Sequence, residues 1–147
     1  MKPVAWDDPV GVRLRSDQEA ELAARYPDNP EPGDHPTADN ISVFLLVSDA
    51  FTGEPVGCGA LRDLDGDAVE IKRMYVVPKQ RGRGAGRAVL AALEQAARGR
   101  GKKVARLETG TEQPEAITLY ERSGYDRIEA FGPYAGNPQS VCYERIL

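Results

Sequence analysis

Histidine and tryptophan occur once each in this chain, cysteine only twice, and aromatic residues make up 7% of it. Cys58 and Cys142 have neither metal-ligand spacing nor the number needed for a disulfide framework. Each lies in an apolar, strand-like run, so both read as buried thiols, and no metal site is expected. The one histidine, His35, lies in a proline-rich stretch and reads as a surface residue. Long apolar runs are also missing. The longest, Val43-Phe44-Leu45-Leu46-Val47, is far too short to span a bilayer, and the start Met1–Asp8 has no apolar signal segment, so a cytoplasmic protein without a membrane partner is expected.

Positive charge is not in excess either. The net charge is −4, whereas a nucleic-acid binder is usually basic overall, so no nucleic-acid partner is expected. That total hides an asymmetry. Residues 1–69 hold 5 basic against 14 acidic side chains, and residues 70–147 hold 14 against 9. Within residues 79–103 there are 8 basic residues, opposed only by Glu94, a local anion-attracting segment suited to a small polyanion. With 147 residues, 41% apolar and 29% charged, the chain fits one soluble domain spanning 1–147.

Val10, Val12 and Leu14 alternate with polar or small residues and predict a first strand. Ser16-Asp17-Gln18-Glu19 has capping-box spacing and predicts a helix to about Tyr26. Residues 27–40, with four prolines and four acidic residues, predict a long loop, a candidate acceptor-side lid. Ile41–Asp49, Pro55–Asp63 and Ala68–Val77 predict an antiparallel meander, turned at Phe51–Glu54 and at Asp65-Gly66-Asp67. Val89, Leu90, Leu93, Ala96 and Ala97 recur at helical spacing up to Gly99. A strand at Val104–Leu107, a helix at Pro114–Ser123 and strands at Tyr125–Ile128 and Val141–Ile146 follow. The order β-α-β-β-β-α-β-α-β-β implies an α/β (α+β) sandwich, a mixed sheet with helices on both faces.

Chemistry concentrates in Pro78-Lys79-Gln80-Arg81-Gly82-Arg83-Gly84-Ala85-Gly86, at the start of the central helix. Alternate glycines let successive N–H groups converge on one centre, and the helix N-terminus favours an anion there. Arg81, Arg83 and Arg87 add charge-assisted contacts suited to a pyrophosphate. A mononucleotide P-loop would require Gly-Lys-Ser/Thr where Gly86-Arg87-Ala88 stands, and the dinucleotide fingerprint has other glycine spacing.

Glu70–Pro78, the Arg81-x-x-Gly84-x-Gly86 core and Leu119-Tyr120-Glu121-Arg122-Ser123-Gly124-Tyr125 together resemble the GNAT (general N-acetyltransferase) superfamily, over roughly residues 10–147. Leu107–Ala116 and Phe131-Gly132-Pro133-Tyr134 are similar to a bacterial small-molecule acetyltransferase subgroup. The resemblance implies a mostly antiparallel sheet whose middle strands splay, with acetyl-CoA as cosubstrate. Pantetheine would lie along Met74, Tyr75 and Val76, paired with backbone groups of Met74 and Val76, and the pyrophosphate on Arg81, Gly82, Arg83, Gly84, Ala85, Gly86 and Arg87. Where the family usually has Asn, this chain has Gln113. The family's general acid corresponds to Tyr120, a phenol of pKa about 10 set against a thiol of about 8.5. Glu70 is the first candidate for the base and Glu108 the second. Tyr120 could instead be a core aromatic, and either glutamate a solvated strand-end acid.

The implied reaction is direct acetyl transfer to a primary amine of a small molecule in a ternary complex. No cysteine lies in or beside the loop, which disfavours a covalent intermediate. A non-catalytic acyl-CoA sensor on the same fold is the alternative, and a homodimer stays open. For the acceptor, Arg62, Lys72 and Arg73 are candidate carboxylate contacts, Asp28 to Asp39 a candidate cation attractor, and Tyr26, Phe131 and Tyr134 candidate aromatic walls. Solvated strand faces and packing aromatics explain the same residues equally well.

Overall fold

The computed structural model describes residues 1–28 and 36–147. His35 and half of the stretch 27–40, the candidate acceptor-side lid, lie outside the described residues. The elements are β1 (Lys2–Pro3), α1 (Pro9–Arg25), β2 (Val43–Ser48), β3 (Pro55–Asp63), β4 (Ala68–Val76), α2 (Ala85–Gly99), β5 (Val104–Gly110), α3 (Pro114–Arg122), β6 (Asp126–Ile128) and β7 (Ser140–Ile146). One seven-stranded sheet runs in the order β1-β2-β3-β4-β5-β7-β6. Every neighbouring pair is antiparallel except β4 and β5. Leu45, Leu61, Val69, Ile71, Leu107 and Tyr143 face α2 and α3, while Phe44, Leu46, Cys58, Ala60 and Tyr75 face α1, so helices cover both faces. Among the described residues no helix is long and apolar enough to cross a membrane.

The predicted first strand is corrected. Residues 10–14 are helical, and the first strand is the two-residue β1. Asp8 caps α1, accepting at 3.1 Å from the N–H groups of both Val10 and Gly11, and Pro9 at the first helical position needs no N–H partner. Ser16–Glu19 therefore lie inside the helix. Val10 and Leu14, four apart, turn inward, whereas Val12 is 44% exposed, so the period is helical. Replacing Asp8 by Ala should cost about 1 kcal/mol and lower the thermal midpoint by about 3 °C, read by circular dichroism. An unchanged midpoint would show that Pro9 alone starts the helix.

Two features of β4 position the site. Its pairing with β5 covers only Ala68 to Ile71 against Val104 to Leu107, after which the strands fork. On its other side the register with β3 slips between Cys58↔Tyr75 and Ala60↔Lys72, a bulge in which Arg73 takes φ +56°. Such a bulge bends the strand and sharpens its twist, carrying Met74 to Val76 away from β5.

Candidate active site

The loop Arg81–Gly86 ends in Gly84, the N-cap of α2, with φ +81°, and Gly82 has φ +78°. Both conformations suit only glycine without strain. No side chain caps α2, so its first N–H groups are available to a ligand. Gly86 serves a different need, since a Cβ there would lie 3.3 Å from Leu119, on the packed line where α2 meets α3. Arg83 and Arg87 are exposed. Arg81 is not available in the same way. Its guanidinium makes a two-pronged contact with Glu21 of α1 at 2.8 and 3.0 Å, and its Nε donates to Val76 O at 2.9 Å. The Glu21 hydrogen bonds hold its pKa above the ordinary value. Arg81 thus fastens the loop to α1 and β4, and the unpaired positive charge of the loop falls to Arg83 and Arg87.

Val77 N donates to Val56 O, so strand alternation turns the polar groups of Val76 and Met74 into the fork and those of Tyr75 toward β3. Met74 O accepts from Gln18 Nε2 at 2.8 Å. The Met74 and Val76 N–H groups have no ladder partner on the fork side, because β4–β5 pairing has already ended. A cleft of about 290 Å³ follows this line. One wall is Gln18, Glu21 and Leu22, spaced as one stripe of α1, and the other is Gln113, Ala116, Leu119 and Tyr120. The glycine loop closes one end.

At the opposite end the cleft meets a second cavity of about 80 Å³ that shares Gln18, Leu22, Met74, Gln113 and Tyr120 with it and adds Glu70, Lys72, Arg73, Glu108, Thr109 and Tyr134. Among the described residues, the Tyr120 hydroxyl, buried at this junction, reaches only the Met74 sulfur, at 3.9 Å. Burial, and next the Glu108 charge, push its pKa far above the usual phenol value, so it keeps its proton at physiological pH. Glu70, also buried, is held by Tyr134, and Glu108 accepts from Ser140 Oγ at 2.7 Å. Neither cysteine lines either space, and burial pushes the Cys58 thiol up to about 12, which makes it a poor nucleophile.

Of the residues singled out from sequence, Lys72, Arg73 and Tyr134 line the second cavity and Arg62 lines neither. Phe131 packs edge-on against Tyr134, and the Tyr26 hydroxyl instead accepts from the Glu112 N–H at the β5–α3 turn. Gln18, Glu21 and Leu22 fell within the helix predicted to about Tyr26, but their place in the cleft escaped sequence reading, because it depends on how α1 packs against β4 and the glycine loop. Their i, i+3, i+4 spacing was the available signal.

The residues present fit an elongated donor with a pyrophosphate at one end. Left-handed glycines and uncapped amides offer an anion seat, the fork exposes strand N–H groups, and Gln18 Oε1 is a buried acceptor with no partner among the described residues, suited to a ligand amide N–H. A model of the acetyltransferase (GNAT) family matches residues 11–125. The chain belongs to that family.

GNAT relatives extend the comparison. The chain is 41% identical over 97 residues to an IAA acetyltransferase of Azospirillum brasilense, covering 65% of this chain and 63% of that protein. It is 42% identical over 83 residues to the uncharacterized N-acetyltransferase YjgM of Escherichia coli K12, covering 54% and 49%. The matches therefore span between half and two thirds of these curated relatives. A provisionally assigned acyl-CoA N-acyltransferase of Klebsiella pneumoniae superposes with a TM-score of 0.83 at 35% identity, over 99% of this chain and 95% of that one. The PaiA N-acetyltransferase of Thermoplasma acidophilum, solved with coenzyme A, shares the fold at a TM-score of 0.59 and 16% identity, over 71% and 61%.

Proposed function

We propose that this GNAT protein transfers an acetyl group from acetyl-CoA directly to a primary amine of a small molecule, in a ternary complex. The observation that carries this reading is the meeting of the two spaces at Tyr120. A cleft with an anion seat at its far end opens beside a phenol onto a cavity lined by the buried Glu70 and the partly buried Glu108.

Acetyl-CoA supplies an activated thioester carbonyl. The amine nitrogen attacks its carbon, the C–N bond forms and the C–S bond breaks, and Tyr120 gives its hydroxyl proton to the departing sulfur. An amine of pKa about 10 reaches the site as ammonium, and freeing its lone pair at pH 7 costs about 4 kcal/mol, so a proton acceptor is required. Glu70 takes that first proton in this scheme, and the second N–H proton, lost as the amide forms, returns to Tyr120 by way of water. The donor cleft leaves Met74 and Val76 N–H groups for pantetheine, with Gln113 beside them and the loop Gly82–Arg87 for the phosphates.

Thiol release from acetyl-CoA, screened against amino acids, polyamines, aminoglycosides, arylamines and lysine peptides, tests the reading. Free thiol with a subset of small amines is expected. Acetyl-CoA binding with no thiol from any amine would mark a sensor instead. Replacing Glu70 by Gln should lower kcat/KM for the active amine about 100-fold and leave CoA affinity within about twofold. An unaltered kcat/KM would transfer the role of base to Glu108 or to water.

A further inference from the structure

Tyr134 closes the Phe131–Tyr134 motif, which the scheme above leaves unused. β4 turns Glu70 and Lys72, two residues apart, to one face, where they are 3% and 7% exposed. Tyr134, 2% exposed, reaches them from a 3-10 turn between β6 and β7, with its ring set against Phe131 at a centroid distance of 5.3 Å. Its hydroxyl donates to Glu70 Oε2 at 2.5 Å and accepts from Lys72 Nζ at 2.9 Å. It thus bridges two charges that already form an ion pair at 3.6 Å.

Both contacts fall on the same carboxylate oxygen. Among the described residues, Glu70 Oε1 has no hydrogen-bond partner. Glu70 lines the second cavity. The short hydrogen bond from the Tyr134 hydroxyl to Oε2 fixes the rotation of the carboxylate, because a buried acceptor holds its donor.

We propose that Tyr134, backed by Lys72, is a positioning residue for the acceptor: it clamps Glu70 Oε2 and keeps Oε1 turned to the cavity, where it receives the ammonium of a small primary amine. This rests on the reading of Glu70 as the group that meets the acceptor amine. A tyrosine hydroxyl suits the position because it donates once and accepts once, linking the ammonium and the carboxylate in a chain.

Tyr134→Phe keeps the ring and removes only the bridging hydroxyl. The test is a double-mutant cycle with Glu70→Gln, using the amine that gives the fastest thiol release in the screen, with CoA affinity followed by calorimetry. Tyr134→Phe alone should lower kcat/KM for the amine about tenfold, leave CoA affinity within about twofold, and cause no further loss once Glu70 is Gln. Equal losses in both backgrounds would overturn the inference, since Tyr134 would then act on cavity shape and not through Glu70. Wild-type protein that releases no thiol with any amine would sink the proposed reaction and this inference with it. Turnover with additive losses would sink the inference alone.

Discussion

Replacing Gly84 by Glu is expected to abolish CoA binding while the protein still folds. Gly84 holds φ +81° as the N-cap of α2, and a Cβ built there meets nothing within 4 Å, so the new side chain would have room on the cleft side of the loop. The backbone penalty for a non-glycine in the left-handed region is about 1–2 kcal/mol, tolerable for a domain of this size. The larger effect is electrostatic. A carboxylate would occupy the place where the first N–H groups of α2 and the charges of Arg83 and Arg87 converge, and would repel the pyrophosphate. A fall in affinity of about 100-fold or more is expected by calorimetry. Gly84→Ala separates the two effects, because it carries the backbone strain without the charge. If Gly84→Glu kept micromolar binding, the phosphates would have to sit elsewhere.

Replacing Tyr120 by Phe should lower kcat about 100- to 1,000-fold, the range of a positioned general acid, with acetyl-CoA affinity nearly unaltered. The hydroxyl is well suited to such a test. Its one hydrogen-bond contact among the described residues is the Met74 sulfur at 3.9 Å, a weak acceptor, so its loss should cost about 0.5 kcal/mol of stability at most. The ring contacts with Tyr125 and Tyr143 survive in Phe. The raised phenol pKa comes first from burial, and a CoA sulfur in the same place would lose hydration too, so both partners in the proton transfer shift the same way. Tyr120 stays protonated well above the usual phenol range, and a rate loss between pH 7 and 9 would belong to another group. A variant with the wild-type kcat would leave Tyr120 as a packing residue.

What could be read from the chain follows from how local its causes are. The strand Pro55–Asp63, the helix after the glycine loop and the stop near Gly99 are set by apolar period and by neighbouring glycines, and they appear where expected. The α1 error had a local cause as well. Three apolar residues at alternate positions imitate a strand, and the signal against it, Asp8-Pro9, is a cap that only matters if the helix begins there. Gln18, Glu21 and Leu22 lay inside the predicted helix, and only its packing against β4 and the glycine loop makes them a cleft wall. The left-handed Arg73 and the salt bridge between Glu21 and Arg81 were illegible for the same reason, because they arise from contacts between distant segments. The bridging hydroxyl of Tyr134 lies 64 residues from Glu70, and no spacing rule connects them.

The fork between β4 and β5 also divides the sheet mechanically. Strands β1 to β4 form one leaf and β5, β7 and β6 another, joined by a short backbone seam: the pairs Ala68 to Ile71 with Val104 to Leu107, and the Asp67 carbonyl, which accepts from the Lys103 and Val104 N–H groups. Beyond Ile71 and Leu107 the two strands no longer pair, and backbone restraint is weakest there. An extended donor lying in the fork would lengthen the seam from within, so the substrate itself would complete the stiffness of the sheet. Product departure would then return the two leaves to their shorter hinge, making the donor a removable structural member as well as a reagent.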